Sequence, residues 1–572
     1  MISVENVVSE QLPPAVSKYA FIRKMVVAFL RFLFHESEFK SFEEKYPHLK
    51  GFDFIDQVLD HFDFQYSVSD RERECIPAEG PVVIISNHPI GSLDGLALLK
   101  MVSEVRRDVK AVANELLMSL PPLENVLLPV DNMGNRTAKD NIRAIDRHLQ
   151  CGGAMIIFPA GEVSRVGPTG VKDGKWHNGF IKFAKKAKAP ILPVFIDGRN
   201  SVFFYSVSLL AKPLSTLLLI NEMFKQVKSS IPIRIGPAIP YEVYTGLPLK
   251  KKSVTKLFKR HVYKLGKNKV EPFFEVNART IAHPESRVEL RQELRACERL
   301  GETGDGKQIY LFNYSGDSVV MREVGRLREI SFRAVGEGSG LRRDIDAYDS
   351  YYDHIILWDD DDLEIVGAYR LVRAAEALQQ GDMRKDDCPL YSQTLFHYTN
   401  IKSDTFKQGV ELGRSFVQPK YWGKRSLDYL WYGIGAYLNK YPQMRYLFGP
   451  VSISNSYPDL AKQTLVAFYR AHFPSQPPFA VARQPFAVAP QVLERFRGED
   501  YSAEFTRLKS ELTALDVKVP TLYKQYTEIC EAGGVQFADF NVDPDFADCI
   551  DGLVLVDIEY LKPKKRKRYL GK

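Results

Sequence analysis

The sequence predicts an α/β protein of two domains, and three observations support this fold class. The chain has 572 residues, more than a single hydrophobic core usually holds. Between residues 76 and 248, short apolar runs alternate with helical patterns, as in a largely parallel sheet covered by helices. Beyond residue 294, aromatic-rich strands and an acidic hairpin turn predict a second α/β domain with antiparallel strands.

The strands of the first domain are predicted from continuous apolar and β-branched runs. Such runs, bounded by turn residues, are typical of strands buried on both faces. They are PVVIIS (81–86), AMIIFPA (154–160) and APILPVFI (189–196), with IPIRIGPAIP (231–240) as the last strand. Apolar residues at helical spacing predict helices over 95–107 and 141–150, so the strand–helix–strand order favours parallel pairing.

The second domain begins after a basic stretch. Residues 249–267 are rich in lysine and are expected to form a terminal or linker helix with a face available to lipid. HPES (283–286) is typical of a helix start, and ELRACERL (293–300) would continue that helix. Further on, the patterns predict a helix over 322–335, strands over 308–314, 354–359 and 365–372, and a turn at Asp359–Asp362.

These patterns divide the chain into five regions. They are a helical region at the membrane interface (1–75), the first α/β domain (76–248), a basic helical linker (249–294), the second domain (295–555) and a basic tail (556–572). No internal repeat is visible, so each domain is expected to have its own core.

Composition bears on the class of partner. The net charge of +7 and the pI near 8.8 are mildly basic, which suits an anionic membrane surface or an acidic protein. No zinc finger or stacking-aromatic module accompanies this charge, so nucleic acid is not an expected partner. The six cysteines are scattered without metal-ligand spacing, which predicts free thiols in a reducing compartment and no metal site.

Three stretches bear on membrane contact. Residues 18–38 mix apolar and basic side chains, which suits either a helix in the bilayer interface or a helix packed on the core. Residues 201–220 are apolar but contain Lys212 and Pro213, which favours a re-entrant or interfacial segment over a span. The basic run 562–568 suits a solvated tail or a contact with anionic lipid or acidic protein. Since the N-terminus lacks a signal-peptide pattern, we expect a peripheral protein on the cytoplasmic face of the inner membrane.

A histidine and an aspartate follow the first buried strand. SNHPIGSLDG (86–95) directly succeeds PVVIIS, and open α/β sheets place their sites at the carboxyl ends of strands. His88 can accept a proton near neutral pH, and a turn at Gly91 would bring Asp94 to one of its ring nitrogens. No serine or cysteine nucleophile accompanies this pair, which favours activation of an external hydroxyl group. The alternative is a helix-capping aspartate beside an unrelated histidine.

Two further polar turns follow predicted strands. FPAGEVSR (158–165) offers Gly161, Ser164 and Arg165, which suit a phosphate or another anionic head group. VDNMGNR (130–136) supplies Arg136 at the end of a further predicted strand. Because these turns lie at the ends of neighbouring strands, we expect them to form one composite site.

The order NHPIGSLDG, VDNMGNR, FPAGEVSR, APILPV resembles the glycerolipid (lysophosphatidate-type) acyltransferase superfamily over residues 75–245. The resemblance implies that His88 is the general base and that Asp94 orients it, with no metal or nucleotide cofactor. It assigns acceptor binding to the later motif residues, and our full set of acceptor-binding candidates in this domain is Asn87, Arg136, Gly161, Glu162, Ser164 and Arg165.

The sequence departs from the common motif pattern of that superfamily. Five residues instead of four separate His88 from Asp94, and the common FPEGTRS reads FPAGEVS here. Ala160 and Val163 therefore replace a glutamate and an arginine, for which Glu162 and Arg165 are the nearest substitutes. The departures resemble a bacterial branch that acylates lyso-lipids without a phosphate-bearing acceptor.

A second set of charged residues lies in the C-terminal half. Carboxylates converging with arginines can bind an amino acid, through its ammonium group and its carboxylate respectively. An ordinary ion-paired surface is the alternative for any single charge. The substrate-binding candidates are Arg328, Arg333, Asp346, Arg414 and Ser415, and the candidate bases are Glu329 and Glu411.

As a set, the segments that carry these charges resemble the N-acyltransferases of ornithine-lipid synthesis, also called hemolysin-like, over residues 295–460. These enzymes have an acetyltransferase-like (GNAT-type) α/β fold. The resemblance implies attack of a free amine on an acyl-carrier-protein thioester, with Glu329 or Glu411 assisting deprotonation.

Together, the two resemblances match the architecture of bifunctional ornithine lipid synthases. They imply that the C-terminal half N-acylates ornithine with a 3-hydroxyacyl group, and that the N-terminal half O-acylates the resulting lyso-lipid. The expected partners are acyl carrier protein, ornithine or another amino acid, the lyso-lipid and the membrane surface. Two rival interpretations remain: a single-function lysophospholipid acyltransferase with a non-catalytic C-terminal half, and a non-enzymatic, hemolysin-like membrane-binding protein.

Overall fold

The chain forms two compact units, residues 1–283 and 284–572. The structure is a computed structural model, and it describes residues 35–113, 120–129, 137–167, 170–210, 212–269, 272–274, 278–314, 316–379, 388–401 and 403–571. Most of the predicted interfacial helix (18–34) and the predicted turn 130–136, with Arg136, lie outside the described residues.

The first unit contains a seven-stranded, largely parallel sheet with the order β1-β9-β8-β2-β5-β3-β4. Only β9 runs antiparallel to its neighbour β8, while β1 pairs with β9 in parallel. The strands are β1 Gln65–Ser67, β2 Val82–Ser86, β3 Val109–Ala113, β4 Leu127–Pro129, β5 Ala154–Ile157, β8 Ile191–Ile196 and β9 Ser230–Ile235, and a separate hairpin holds β6 Arg165–Gly167 and β7 Gly170–Lys172. The predicted parallel sheet is therefore confirmed.

The central strand β2 is buried along its whole length, as its continuous apolar sequence predicts. It pairs in parallel with β5 on one side and with β8 on the other. This puts the loop that follows β2 at the carboxyl edge of the sheet, between two neighbouring strand ends.

Helices cover both faces of this sheet and bury two apolar clusters. They are Glu36–Lys45, Gly51–His61, Asp70–Arg73, Ser92–Ser103, Thr137–Gln150, Gly179–Lys186, Val202–Leu210, Lys212–Lys225, Tyr241–Thr245 and Lys251–Leu265, with 3-10 turns at Pro121–Val126 and Pro272–Phe274. The basic stretch predicted as a terminal or linker helix is the helix Lys251–Leu265. It buries Val254, Phe258 and Val262 in the first unit and exposes lysines on its other face.

The second unit contains an eight-stranded sheet with the order β10-β11-β12-β13-β15-β16-β19-β18. Its neighbours are antiparallel except β15 and β16, which pair in parallel over three residues. The strands are β10 Glu298–Glu302, β11 Gln308–Asn313, β12 Asp353–Asp359, β13 Glu364–Arg373, β15 Gly409–Val417, β16 Tyr446–Ile453, β18 Val535–Asp543 and β19 Cys549–Asp557, and a small sheet pairs β14 Phe396–Tyr398 with β17 Ala480–Ala482. The predicted acidic hairpin is present, since Asp359 pairs with Glu364.

The helices of the second unit pack on this sheet around one large apolar cluster and several smaller ones. They are Arg287–Arg295, Val319–Arg333, Ala374–Gln379, Ser392–Leu395, Ser403–Lys407, Ser426–Lys440, Asp459–His472, Pro490–Leu493, Tyr501–Ala514, Thr521–Glu528 and Pro563–Leu570, with 3-10 turns at Ala347–Ser350, Pro419–Tyr421, Pro544–Phe546 and Ile558–Tyr560.

Two local predictions differ from the structure. The predicted continuation of the first helix over 293–300 ends at Arg295, because residues from Glu298 onward pair with β11 as an edge strand. Part of the predicted basic tail folds as the helix Pro563–Leu570, in which Tyr569 and Leu570 are buried. Tyr569 donates a hydrogen bond to Asp428, which ties this helix to the helix Ser426–Lys440.

The apolar stretch 201–220 forms parts of two helices, Val202–Leu210 and Lys212–Lys225. Among the residues that the structure describes, no helix combines the length and the apolar character needed to cross a bilayer.

Candidate active sites

His88 and Asp94 form a close pair at the carboxyl end of β2. The Nδ1 atom of His88 lies 2.9 Å from Oδ1 of Asp94, whose side chain is completely buried. The other carboxylate oxygen of Asp94 accepts hydrogen bonds from the backbone N–H groups of Ile90 and Gly91, at 2.8 and 3.3 Å. Asp94 therefore caps the helix Ser92–Ser103 and also orients the imidazole, so the two interpretations of this residue are compatible.

The turn between the two residues depends on Gly91. Its φ of +124° and ψ of −126° are rarely adopted by residues with a Cβ atom, which explains a glycine at this position. Asn87 fixes the start of the turn, because its side-chain amide donates to the carbonyl of Ile196 and accepts from the N–H of Ile196, both at 2.8 Å. With both its polar groups engaged by β8, Asn87 holds the backbone of His88 in place.

The surroundings of His88 change its protonation. Burial disfavours the charged ring, but the carboxylate of Asp94, with a smaller contribution from Asp173, outweighs it and raises the pKa of His88 above its usual value. Phe158 stacks on the imidazole with ring centroids 4.2 Å apart. The side chain of His88 remains 20% exposed. A base of this kind can take a proton from an alcohol.

The FPAGEVSR turn lies beside this pair, as its position after β5 predicts. The backbone N–H of Ser164 donates to the carbonyl of His88 at 2.7 Å. Gly161 is exposed and adopts a positive φ of +68°. Arg165 contacts Glu162 at 3.4 Å and also donates to the hydroxyl of Ser208. Gly161, Glu162, Ser164 and Arg165 are thus brought to the His88 loop.

Sequence reasoning missed Asp173 at this site. Its buried carboxylate accepts hydrogen bonds from the backbone N–H of His88 at 3.2 Å and from the hydroxyl of Ser164 at 2.5 Å. A polar residue between two predicted elements gives no signal of such long-range contacts.

In the second unit, a buried network of guanidinium groups and carboxylates lies between the helix Val319–Arg333 and β12–β13. Arg328 donates to Oδ1 of Asp349 at 2.8 Å, and Arg370 approaches the same oxygen at 3.2 Å. Arg370 also donates to Asp346 at 2.6 Å. His354 completes the network, with its Nδ1 atom 3.3 Å from Arg328. The arginines hold the pKa of Asp349 well below its usual range, although burial alone would raise it.

Arg414 continues this network toward the strand pair β15–β16. Its Nε atom lies 3.2 Å from Asp344, and its Nη2 atom lies 3.7 Å from Asp346. It also donates to the hydroxyl of Tyr391 at 3.3 Å. Ser415 follows Arg414 in the strand and is half-buried. Arg328, Asp346, Arg414 and their partners are therefore brought together as predicted.

The two predicted bases, Glu329 and Glu411, lie in separate hydrogen-bond networks. Glu329 accepts from the Nε of Arg333 at 2.6 Å and from the backbone N–H groups of Ser339 and Gly340, at 3.2 and 2.9 Å. Arg333 also donates to the carbonyl of Leu341, in the same loop, at 2.6 Å. These contacts secure the loop that follows the helix Val319–Arg333.

Glu411 lies in β15, and its side chain reaches the N-terminus of the short helix Ser392–Leu395. It accepts from the backbone N–H groups of Tyr391 and Ser392, at 3.1 and 2.8 Å, and from the hydroxyl of Tyr352. The oxygens of both carboxylates therefore accept hydrogen bonds from donors within the fold.

A different carboxylate is available in the second unit. Glu337 is half-buried, and among the described residues no donor forms a hydrogen bond with its side chain. Burial and the nearby carboxylate of Asp551 raise the pKa of Glu337 to about 8, against the opposing effect of Arg414. Asp551 is itself buried, and burial and Asp543 raise its pKa above the usual range. Neither Glu337 nor Asp551 was among the residues predicted from the sequence.

Comparison with known proteins assigns both units. Residues 7–267 match the acyltransferase family model, and residues 327–432 match the acetyltransferase (GNAT) domain model. The lyso-glycine lipid O-acyltransferase of Bacteroides thetaiotaomicron is 31% identical over 251 residues, which are 43% of this chain and 90% of that protein. The chain belongs to the acyltransferase family. Its C-terminal half holds a GNAT domain.

Two N-acyltransferases are also similar to this acyltransferase. The glycine N(alpha)-acyltransferase of Bacteroides thetaiotaomicron is 29% identical over 308 residues, which are 51% of this chain and 89% of that protein. The L-ornithine N(alpha)-acyltransferase of Agrobacterium fabrum is 33% identical over 139 residues, which are 23% of this chain and 45% of that protein. The predicted order, an acyltransferase domain followed by a GNAT domain, is confirmed.

The buried network of the GNAT-containing half predicts a loss of stability in acid. Burial lowers the pKa of His354 to about 3, so the folded protein excludes a proton that the unfolded chain binds at about 6.5. The unfolded state therefore binds more protons between these values, and the free energy of unfolding should fall by about 2 kcal/mol from pH 7 to pH 5 through His354 alone. Urea unfolding at both pH values, followed by tryptophan fluorescence, measures this change.

His354→Asn is the matched variant for this prediction. Asparagine keeps an acceptor for Arg328 but does not titrate, so the difference between pH 7 and pH 5 should shrink by about 2 kcal/mol. Three of the four tryptophans lie in the second unit, so the fluorescence reports mainly on it. An unchanged pH dependence in the variant would contradict the assignment of a neutral, buried His354.

Proposed function

We propose that this acyltransferase makes an aminolipid in two steps, both with acyl carrier protein thioesters as donors. The GNAT domain joins a 3-hydroxyacyl group to the α-amine of ornithine, and the N-terminal domain then esterifies the 3-hydroxyl group with a second acyl chain. The observation that carries this proposal is the presence, in one chain, of a His–Asp pair suited to a hydroxyl acceptor and a carboxylate–guanidinium network suited to an amino acid.

The geometry of His88 supports the O-acylation step. Its Nε2 atom accepts the proton of the lipid hydroxyl while Asp94 holds Nδ1. The oxygen attacks the thioester carbonyl, the C–S bond breaks, and the leaving thiolate takes the proton back from His88. The loop His88–Asp94 contains no cysteine, and its one serine, Ser92, is exposed and begins the helix. Direct transfer to the hydroxyl group is therefore favoured over a covalent acyl-enzyme.

The N-acylation step needs a base for the ammonium group and partners for the carboxylate. Glu337 is the best-placed base, because its carboxylate is not engaged by other donors in the described residues and its pKa is about 8. Arg414 lies close enough to influence that carboxylate, and a guanidinium group can pair with the carboxylate of an amino acid. Glu337 takes one proton from the ammonium group, and the free amine attacks the thioester carbonyl. The C–S bond breaks, a second proton passes from the nitrogen to the leaving thiolate, and Glu337 releases its proton to solvent.

The charge of this region supports ornithine as the acceptor. Asp344 and Asp346 lie beside Arg414, and Glu337 and Asp551 are close to it. Carboxylates at this position can pair with the side-chain ammonium group of ornithine, in addition to its α-amine. Glycine is the second candidate, since the relatives named glycine N(alpha)-acyltransferase match over most of their length.

The lipid acceptor and the acidic donor imply a peripheral location at the cytoplasmic face of the inner membrane. The exposed lysines of the helix Lys251–Leu265 offer a positive surface to anionic lipid or to the acidic carrier protein. Such charges speed the encounter of donor and enzyme at low ionic strength.

Expression in a host that lacks amino-acid lipids tests this function. We expect new ninhydrin-positive lipids, and mass spectrometry of the extracts should find ornithine carrying one amide-linked and one ester-linked chain. Glycine in the head group would replace ornithine as the acceptor. New phospholipid species without an aminolipid would support the single-function lysophospholipid acyltransferase. Vesicle binding by the purified protein, without release of thiol from acyl carrier thioester, would support the non-enzymatic alternative.

A further inference from the structure

Asp173 contacts the loop of the catalytic histidine from outside the His88–Asp94 pair. Its Oδ1 atom accepts hydrogen bonds from the backbone N–H of His88 at 3.2 Å and from the hydroxyl of Ser164 at 2.5 Å. Its Oδ2 atom accepts from the indole N–H of Trp176 at 2.8 Å. Asp173 is only 5% exposed, so three donors fix a carboxylate that has little access to water.

These contacts hold the backbone of His88 on both sides. The N–H of His88 donates to Asp173, and its carbonyl accepts from the N–H of Ser164 at 2.7 Å. Ser164 is in turn bonded to Asp173 through its hydroxyl group. A closed set of contacts therefore joins the His88 loop to the FPAGEVSR turn. It limits the movement of the imidazole relative to the substrate, on which the rate of transfer depends.

The helix Lys251–Leu265 secures Asp173 from the other side. The hydroxyl of Tyr263 accepts a hydrogen bond from the backbone N–H of Asp173 at 2.7 Å. The ammonium group of Lys259 donates to the carbonyls of Asp173 and Gly174, both at 2.7 Å. The basic helix thus has an inner face that supports the active site, in addition to its exposed lysines.

The charge of Asp173 also acts on the imidazole. The charged and titratable groups around this carboxylate are His88 and Asp94 on the first loop, the adjacent Lys172, and Lys259 and Tyr263 on the helix. Burial lowers the pKa of Lys259, while burial and Asp173 raise the pKa of Tyr263, so the phenol stays neutral. Asp173 adds to the effect of Asp94 in raising the pKa of His88. Because His88 becomes positively charged when it accepts the substrate proton, a second carboxylate nearby stabilises that state.

We infer that Asp173 is a positioning residue for O-acyl transfer, which fixes the His88 backbone and stabilises the imidazolium that forms during proton transfer. The assay of acyl transfer rests on the proposed function. The protonation of His88 does not, because it can be measured without turnover.

The test uses the full chain and two measurements. The first is the pH profile of O-acyl transfer to a synthetic N-(3-hydroxyacyl) amino acid. The second is the pH dependence of the reaction of His88 with diethyl pyrocarbonate, followed by peptide mass spectrometry, which gives the midpoint of its protonation. Asp173→Asn removes the charge and keeps one acceptor oxygen. Asp146→Asn is the matched control, since it removes a buried carboxylate that pairs with Lys186 elsewhere in the same domain.

We expect Asp173→Asn to move both the acidic limb of the profile and the modification midpoint to lower pH, because the variant lacks a charge that favours protonated His88. The turnover number should fall on the order of tenfold, less than removal of the base itself. Asp146→Asn should change neither the limb nor the midpoint. If the acidic limb of the pH profile and the midpoint of modification stay at their wild-type pH in Asp173→Asn, the inference is overturned, even if the variant loses activity.

One outcome separates this inference from the proposed function. If the wild-type protein does not acylate the lyso-lipid analogue, the proposed function fails, while the modification midpoint still tests Asp173. If Asp173→Asn does not fold, Ser164→Ala takes its place, since it keeps the charge and loses one contact. That variant should turn over more slowly with an unchanged midpoint, and turnover within about twofold of wild type would overturn the positioning role.

Discussion

His88→Ala is expected to stop the second acylation and to leave the first intact, so that the mono-acylated aminolipid accumulates. The variant loses the proton acceptor of the hydroxyl group, and general-base catalysis typically contributes about 10²- to 10⁴-fold to a rate. The GNAT domain uses other residues and should still form the amide. Mass spectrometry of lipids from a host that expresses the variant would measure the ratio of mono-acylated to di-acylated product.

Two further variants make this experiment specific. His148→Ala removes another histidine of the same domain, whose Nε2 atom lies 2.9 Å from the carbonyl of Ala154, and should leave the di-acylated product unchanged. Asp94→Asn keeps an acceptor for the cap of the helix Ser92–Ser103 but cannot hold the same tautomer of His88, so it should resemble His88→Ala. If His88→Ala still makes the full amount of di-acylated product, His88 is not the base. If Asp94→Asn does so, the role of Asp94 is only to cap the helix.

The first site could be predicted because its chemistry is local in sequence. His88, Gly91 and Asp94 lie within one turn after a strand whose burial is evident from five apolar and small residues in a row. The order of the later motifs added a second constraint. Asp173 could not be predicted in this way, because it contacts His88 across 85 residues and lies in a segment without periodicity. Only the packing of the helix Lys251–Leu265 and the FPAGEVSR turn brings it there.

In the second unit, the charged residues were predicted from the sequence, but the partners of each residue were not. Adjacent residues of a helix point in different directions and therefore contact different parts of the fold. Arg328 reaches Asp349, whereas Glu329, the next residue, bonds the loop at Ser339 and Gly340. Sequence gives the composition of such a network but not its pairing, so the hydrogen-bond partners of Glu329 and Glu411 could not be predicted. Glu337 was not singled out, because its environment comes from Arg414 and Asp551, which are distant in sequence.

Glu337→Gln is expected to remove most of the N-acylation activity and its dependence on pH near 8. The carboxylate must be ionised to accept a proton from the amine, so the wild-type rate should rise as the pH increases through about 8. Glutamine has nearly the same shape and cannot accept this proton, and the rate should fall on the order of 10²-fold. Formation of the N-acylated amino acid from a carrier-protein thioester, measured between pH 6 and pH 9, gives both quantities.

Glu329→Gln and Asp551→Asn distinguish a base from a structural carboxylate. Glu329→Gln weakens the ion pair with Arg333 and should cost about 1–3 kcal/mol in the free energy of unfolding, while the pH dependence of the remaining activity stays in place. Asp551→Asn removes a charge that raises the pKa of Glu337, so the rising limb should move to lower pH without disappearing. If the activity of Glu337→Gln still rises with pH near 8, Glu337 is not the base. If Glu329→Gln loses this rise, Glu329 is the base, as first predicted. The direction in which Asp551→Asn moves the limb is therefore the sharpest measure of whether these carboxylates act on one another during amide formation.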